Sequence, residues 1–270
     1  MITSETIKSW GLAALAYDED KLIGAVRELF GLKMYCKLDD KHGSLFAGCA
    51  FDKNAGSLRI VNRGTDGLDY YGNKKSWFRN ARIVAGKDGI HNGFASAADD
   101  VIEWFFHQIC DAESIVISGQ SQGSDLSLVE AYFIAKSFPN IRRIHVDAFS
   151  CFPAFNQKGA DNFKPYLDSG RVTIHRYDAK GDPSRWSIFR DPKSILRDGV
   201  DVGLGIELFS VIKFSSTLSL KLIPHSNAVT NSALFQMVSV QARGSISGPE
   251  IMENFNNLVM LGKIGERIIN

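Results

Sequence analysis

Apolar and polar positions along this chain alternate with two periods, and the periods change places in an informative order. Ile7, Trp10, Leu12 and Leu15 fall near one stripe, and Leu22, Val26 and Phe30 near another, so residues 3 to about 30 predict two helices that cover a sheet. Lys33 to Lys37, Ser44 to Phe51 and Ser57 to Asn62 are strand-like, divided by the turn-rich Asp39-Asp-Lys-His-Gly43 and Asn54-Ala-Gly56. Asn92 to about Cys110 predicts a helix carrying Phe94, Val101, Trp104 and Phe105. Ile115 to Ile117 is β-branched throughout and reads as a buried strand, after which Leu126, Val129 and Phe133 recur at helical spacing. Ile141 to Phe149 and Arg171 to Tyr177 predict two more strands, each reached through a helical or loop crossover. Strands joined first by turns and then by crossovers imply an α/β protein with a mixed sheet. Past Asp191 the pattern thins: Val211 to Leu222 alternates weakly, as a strand pair or hairpin, and Gly248 to Asn270 reads as a terminal helix started by Pro249.

Composition narrows the picture. With 270 residues, 44% of them hydrophobic, and no repeat, low-complexity tract or Pro/Ser-rich linker, residues 1–270 are expected to form one large domain. Lys and Arg number 31 against 30 Asp and Glu, and no basic run stands out, so a nucleic-acid partner is not expected. Glu5 and Lys8 stand where a signal peptide would need an apolar core, and the longest apolar stretch, Val202 to Ile212, is short and contains Glu207. Cytoplasmic residence, or export by a route that reads no signal peptide, is the expectation. Cys36, Cys49, Cys110 and Cys151 lack metal-type spacing; reduced core thiols are preferred over a disulfide between Cys36 and Cys49 on neighbouring strands. Nothing in the pattern fixes an oligomeric state.

The candidate chemistry centres on Gly119-Gln-Ser121-Gln-Gly123, a Gly-x-Ser-x-Gly turn between the predicted strand and helix. That context is the one a nucleophile elbow requires, because a serine on a sharp strand-to-helix bend leaves no room for a β-carbon on either side. A serine hydroxyl needs a base within reach and a carboxylate to orient that base. His42, His91 and His107 precede Ser121, and His145 and His175 lie inside predicted strands, which leaves His225 in Ile223-Pro-His-Ser-Asn227 as the base. The strand ending at Tyr177 runs into Asp178-Ala-Lys-Gly-Asp182-Pro183, so both aspartates are acid candidates. Asp182 is preferred, since Gly181 and Pro183 preset a turn around it, whereas Asp178 reads equally as a cap of the strand. The backbone N–H of Gln122 and a donor from Arg63-Gly64-Thr65 would form the oxyanion hole. Between them, residues 67 to about 90 hold Tyr70, Tyr71, Trp77 and Phe78 among Lys74, Lys75, Arg79 and Arg82, a lid-like segment or a surface loop pinned by aromatics.

Assembled, these pieces resemble the class 3 lipases, the fungal-lipase-like branch of the α/β-hydrolases. The similarity rests on Val61-Asn-Arg-Gly-Thr65-Asp66, on His91-Asn-Gly-Phe94, on Ser118-Gly-Gln-Ser121-Gln-Gly123, on Phe149-Ser-Cys-Phe-Pro153 in place of the family's Phe-Gly-x-Pro, on Gly181-Asp182-Pro183 and on His225. The resemblance implies an α/β-hydrolase fold with a mixed, mostly parallel central sheet flanked by helices. It also implies a Ser121, Asp182 and His225 triad, a Thr65 and Gln122 oxyanion hole, and a lid within residues 67 to 90. Gln120, Gln122, Ser124 and Asn62 depart from the family pattern, and polar groups at these places suggest a more polar acyl or head group than bulk triglyceride.

The activity expected is that of a serine carboxylic ester hydrolase of lipase, phospholipase A1 or esterase type. It would work through an acyl-enzyme on lipid or other acyl esters, with no metal or organic cofactor required. Transient contact with a membrane or lipid interface is implied by the aromatic and basic residues of 70 to 82. The competing readings are a lipase-like fold kept as a binding protein without turnover, and an acyltransferase or thioesterase using the same triad.

Overall fold

The computed structural model describes residues 3–16, 19–32, 34–39, 45–52, 55–64, 86, 88–179 and 199–208. In chain order the strands are β1 (Met34–Asp39), β2 (Leu45–Asp52), β3 (Ser57–Asn62), β4 (Ser114–Gln120), β5 (Arg143–Phe149), β6 (Phe155–Asn156), β7 (Val172–Ala179), β8 (Gly199–Val200) and β9 (Leu204–Leu208). The helices are α1 (Ser4–Leu15), α2 (Glu19–Phe30), α3 (Asn92–Trp104), α4 (Phe106–Cys110), α5 (Gln122–Ser137) and α6 (Gln157–Asp168). Seven strands make one sheet in the order β1-β2-β3-β4-β5-β7-β9, while β6 and β8 pair separately. Within the seven-stranded sheet β1, β2 and β3 run antiparallel and every pairing from β3 to β9 is parallel, whereas β6 and β8 pair antiparallel. Parallel neighbours cannot be joined by a tight turn, so α3 and α4, α5, and α6 supply the crossovers between β3, β4, β5 and β7. This mostly parallel sheet flanked by helices is an α/β-hydrolase fold.

Side-chain alternation sorts the strands onto two cores. Ile115 and Ile117 of β4, Ile144 and Val146 of β5, and Val172 and Ile174 of β7 bury one face against Val101, Leu126, Val129, Ile134 and Phe163 of the crossover helices. The opposite face meets α1 and α2 through Leu12, Leu15, Leu22, Val26, Ala50 and Val61. Both faces being covered is the rule for parallel strands, and it explains why β4 reads as a continuous apolar run. The two N-terminal helices do cover the sheet. Thr3 caps α1 in a reciprocal pair with Thr6, and Thr6 Oγ1 lies 3.1 Å from the Tyr177 hydroxyl, which fastens the start of α1 to β7. Trp10 meets the edge of Phe149 at a ring separation of 4.9 Å.

Several expectations change. The helix expected over 92–110 breaks at Phe105, whose ring is wholly buried and whose backbone (φ −99°, ψ 17°) leaves the helical region, giving α3 and α4. The crossover after β5 contains a full helix, α6, and β9 adds a parallel strand inside the apolar stretch Val202 to Ile212, for which no strand is expected from the sequence. Cys110 is exposed, so it is not a core thiol; Cys49 and Cys151 are buried, Cys36 is half-buried, and all four are free. Cys36 is the register partner of Cys49 across β1 and β2. Among the described residues no helix is long and apolar enough to cross a membrane. The weak alternation of 211–222 and the terminal helix of 248–270 lie outside the described residues.

Candidate active site

Ser121 sits between β4 and α5 at φ 55° and ψ −128°, a conformation an L-residue adopts at a cost of about 1–3 kcal/mol. Its surroundings hold it there. A β-carbon on Gly119 would lie 2.2 Å from the Gly123 carbonyl oxygen, and one on Gly123 would lie 2.4 Å from the carbonyl oxygen of Asn62. Both glycines are therefore required by the closeness of backbone to backbone. The Ser121 carbonyl accepts the N–H of Ser124 at 2.8 Å and of Asp125 at 3.3 Å, starting the helical ladder, while the serine hydroxyl makes no cap to the helix it precedes. Gln122 occupies the first helical position, where the backbone N–H precedes that ladder and the helix dipole favours negative charge.

Strand register places the neighbouring loops around this serine. Asn62 is level with Gly119, Gln120 with Phe149, and Phe149 with Tyr177, so Arg63, Ser121, Ser150 and Asp178 all emerge at the carboxyl rim of the sheet. In open α/β sheets this rim is where ligands bind. Arg63 packs its backbone over Gly123, within 2.9 Å of where a β-carbon there would stand, and carries the chain into buried Gly64. Ser150, in Phe149-Ser-Cys-Phe-Pro153, has φ 55°, a region that favours glycine. His91 caps α3: its Nδ1 accepts the N–H groups of Gly93 at 3.1 Å and Phe94 at 3.4 Å, which puts the ring proton on Nε2.

Behind the elbow lies a buried polar group that sequence reasoning missed. Asn62 Nδ2 donates to Glu130 Oε2 at 2.7 Å and to Ser127 Oγ at 3.0 Å, and Ser127 Oγ donates to the Gly123 carbonyl at 2.7 Å. Burial pushes the Glu130 carboxyl up to about 8, against the smaller downward pull of the Asn62 hydrogen bond. It is therefore protonated at neutral pH. Among the described residues Asn62 Oδ1 and Glu130 Oε1 have no hydrogen-bond partner. The available signal was a glutamate one turn after Ser127, followed by the apolar run Ala131 to Ala135. Ser124 also bonds inward, donating to the Ser121 carbonyl at 2.5 Å. Asn62 and Ser124 are fully buried and hydrogen-bonded inside the protein, so neither informs on substrate polarity, contrary to the expectation from sequence.

On the other side of the rim, Asp178 is 2% exposed; its Oδ1 accepts the Cys151 N–H at 3.3 Å, and its Oδ2 lies 3.9 Å from Arg176. Arg176 also pairs with Asp201. Asp125 Oδ1 accepts the Phe152 N–H at 2.7 Å, so two carboxylates fix the loop that follows β5. Burial, followed by the Asp178 charge, holds the Cys151 thiol well above its ordinary range, so it is no competing nucleophile.

Ser121 and Gln122 are thus brought to one bend. Thr65, Asp182 and His225, with Tyr70, Tyr71, Trp77 and Phe78 of the lid-like segment, lie outside the described residues. The end of that segment is anchored: Ile90 bridges to Phe155, and the Asn156 N–H donates to the Gly89 carbonyl at 2.9 Å.

No protein-family model matches this chain, and no curated protein matches it in sequence. Solved structures do match in fold. A triacylglycerol lipase from Penicillium expansum is 16% identical, with 76% of this chain and 78% of that one covered at a TM-score of 0.52. A lipase from Rhizopus microsporus var. chinensis is 15% identical, covering 76% and 73% at 0.58. The Rhizomucor miehei lipase in its propeptide complex is 13% identical, covering 82% and 76% at 0.57. This chain has the fold of fungal lipases at a sequence distance where fold alone is shared.

Proposed function

We propose that the chain is a serine carboxylic ester hydrolase, acting on lipid or other acyl esters through an acyl-enzyme on Ser121. The observation that carries this reading is the strained Ser121 at φ 55°, pinned between two glycines that admit no β-carbon. Strain of this kind persists where the surroundings over-determine it, and it clusters at functional sites. A lipase fold in the solved neighbours and the order Ser121, Asp182, His225 along the chain support it further.

In this reading His225 takes the Ser121 proton as the hydroxyl attacks the ester carbonyl, then returns it to the departing alcohol; Asp182 orients the imidazole. The backbone N–H of Gln122 and a donor from Thr65 hold the oxyanion, the latter because Gly64 leads straight from the backbone that packs on Gly123. Water, activated by the same His225, releases the acid. Asp182 is favoured over Asp178 because Asp178 is turned to the Cys151 N–H and Arg176. The lid in this scheme falls within residues 67 to 90, in a single domain of residues 1–270.

The experiment is labelling with a fluorophosphonate probe alongside turnover of p-nitrophenyl esters and phospholipids. Rapid one-to-one modification of Ser121 and turnover abolished by Ser121→Ala are expected. Unchanged turnover in Ser121→Ala, or no reaction with the probe, overturns the assignment.

A further inference from the structure

On the α1 face of the sheet, away from the elbow, three ligating side chains converge. His145 and Asp147 are two apart on β5 and so share a face, and register puts His175 of β7 directly beside Asp147. Their ligating atoms all come within 4.8 Å of one another: His145 Nε2 is 3.1 Å from Asp147 Oδ1, and His175 Nδ1 is 4.0 Å from the same oxygen. The two imidazoles meet edge to face, ring centroids 5.0 Å apart, so each can turn a nitrogen to the same point without stacking against the other.

Asp147 gives the cluster its direction. It is fully buried; His145 Nε2, 3.1 Å from Oδ1, and the Tyr177 hydroxyl are its neighbouring donors among the described residues, and neither contact meets full hydrogen-bond geometry. The Tyr177 hydroxyl is shared between Asp147 and Thr6. A buried carboxylate so weakly hydrogen-bonded is costly unless a cation satisfies it. The histidine side chains are 31% and 29% exposed, so the cluster is open to entry from solvent. The charges facing it from neighbouring elements, Glu5 of α1 and Arg59 of β3, neutralise each other in a 2.7 Å ion pair.

We propose that His145, Asp147 and His175 form a binding site for a divalent transition metal of the zinc class. Zinc bonds of about 2.0–2.2 Å to imidazole nitrogen and carboxylate oxygen put neighbouring ligand atoms roughly 3–3.5 Å apart. The observed 3.1 and 4.0 Å need only a small ring rotation to reach that. Two imidazoles among three ligands select zinc, nickel or copper over calcium and magnesium, which take oxygen. Asp147 is level with Ser118, three residues before Ser121, so the ion would lie about 10 Å down the strands from the nucleophile. It would clamp β5 to β7 and take no part at Ser121.

The test is zinc titration of the intact, reduced protein by calorimetry, with X-ray absorption on the loaded protein and the same titration of His145→Gln, His175→Gln and Ser121→Ala. Expected are one zinc bound by nitrogen and oxygen ligands, affinity lowered by at least about tenfold in each histidine variant, and unchanged affinity in Ser121→Ala. Thermal midpoint should rise by about 5 °C when zinc exceeds its dissociation constant about a hundredfold. No binding by wild type, thiolate sulfur in the absorption spectrum, or equal affinity in wild type and both histidine variants overturns the site. Because Ser121→Ala reports on zinc separately from turnover, failure here and failure of the hydrolase reading are distinguishable.

Discussion

The Asn62 carboxamide donates to the Glu130 carboxyl across 2.7 Å, joining the end of β3 to the middle of the helix that begins at the candidate nucleophile. The two partners belong to different elements, and between them they set the distance from the Arg63-Gly64 backbone to the bend at Ser121.

That relationship makes stability depend on pH through Glu130. Its carboxyl titrates near 8 in the folded protein and near 4.5 in the unfolded chain, so between these values the folded state holds a proton that the unfolded state has released. Stability from this group is full below the lower value, falls as pH rises through the window, and levels off above about 8. The loss amounts to about 4–5 kcal/mol as an order of magnitude. Urea denaturation at about pH 5 and about pH 9 should show this slope in wild type and lose most of it in Glu130→Gln, which keeps the shape without the proton.

Asn62→Ala tests the same pair from the other side. It leaves Glu130 and Ser127 without their donor and should destabilise the fold by about 1–3 kcal/mol. Because Asn62 leads into Arg63 and Gly64, kcat should fall while fluorophosphonate labelling of Ser121 continues at a reduced rate. Unaltered kcat with lowered stability would limit Asn62 to a structural part.

Much of this was legible in the chain itself. The sharp bend at Ser121 follows from two glycines flanking a serine between a β-branched run and a helical one, a signal carried by local sterics. The antiparallel start and parallel remainder of the sheet follow from turns giving way to crossovers. What stayed hidden depends on tertiary context. Glu130 looks like an exposed charge until α5 is seen to be enclosed on all sides, and Asp147 looks like one more strand aspartate until His175 is set beside it by a crossover of more than twenty residues. β9 escaped because Leu204–Leu208 is short, five residues, with Gly203 before it and Gly205 within it, both of which weaken a strand signal.

Thiol chemistry offers a prediction independent of catalysis. Cys110 is exposed, whereas burial raises the Cys49 and Cys151 thiols, with Cys36 adding to the effect on Cys49. Iodoacetamide on the folded protein should therefore modify Cys110 first, and Cys49 and Cys151 only on unfolding. Peptide mass mapping over a time course reads this directly, and early modification of Cys151 would contradict the packing of the loop after β5.

The two aspartates of the 178–182 stretch separate cleanly by what their loss should do. Asp178 receives the Cys151 N–H and lies beside Arg176, so Asp178→Asn weakens one end of a buried charged network. It should lower stability by about 1–3 kcal/mol while the surviving protein keeps most of its kcat. Asp182, three residues past the end of β7, is reached by a chain that has already crossed the rim where Ser121 stands. An amide there would leave His225 in the wrong tautomer with nothing to stabilise its positive form, and kcat should fall by about four orders of magnitude with stability barely altered. Measuring kcat and the urea midpoint for both variants gives opposite patterns if Asp182 is the orienting acid. A large kcat loss in Asp178→Asn with an intact Asp182→Asn would transfer the role to Asp178, and would require its carboxylate to leave Cys151 and turn toward the imidazole.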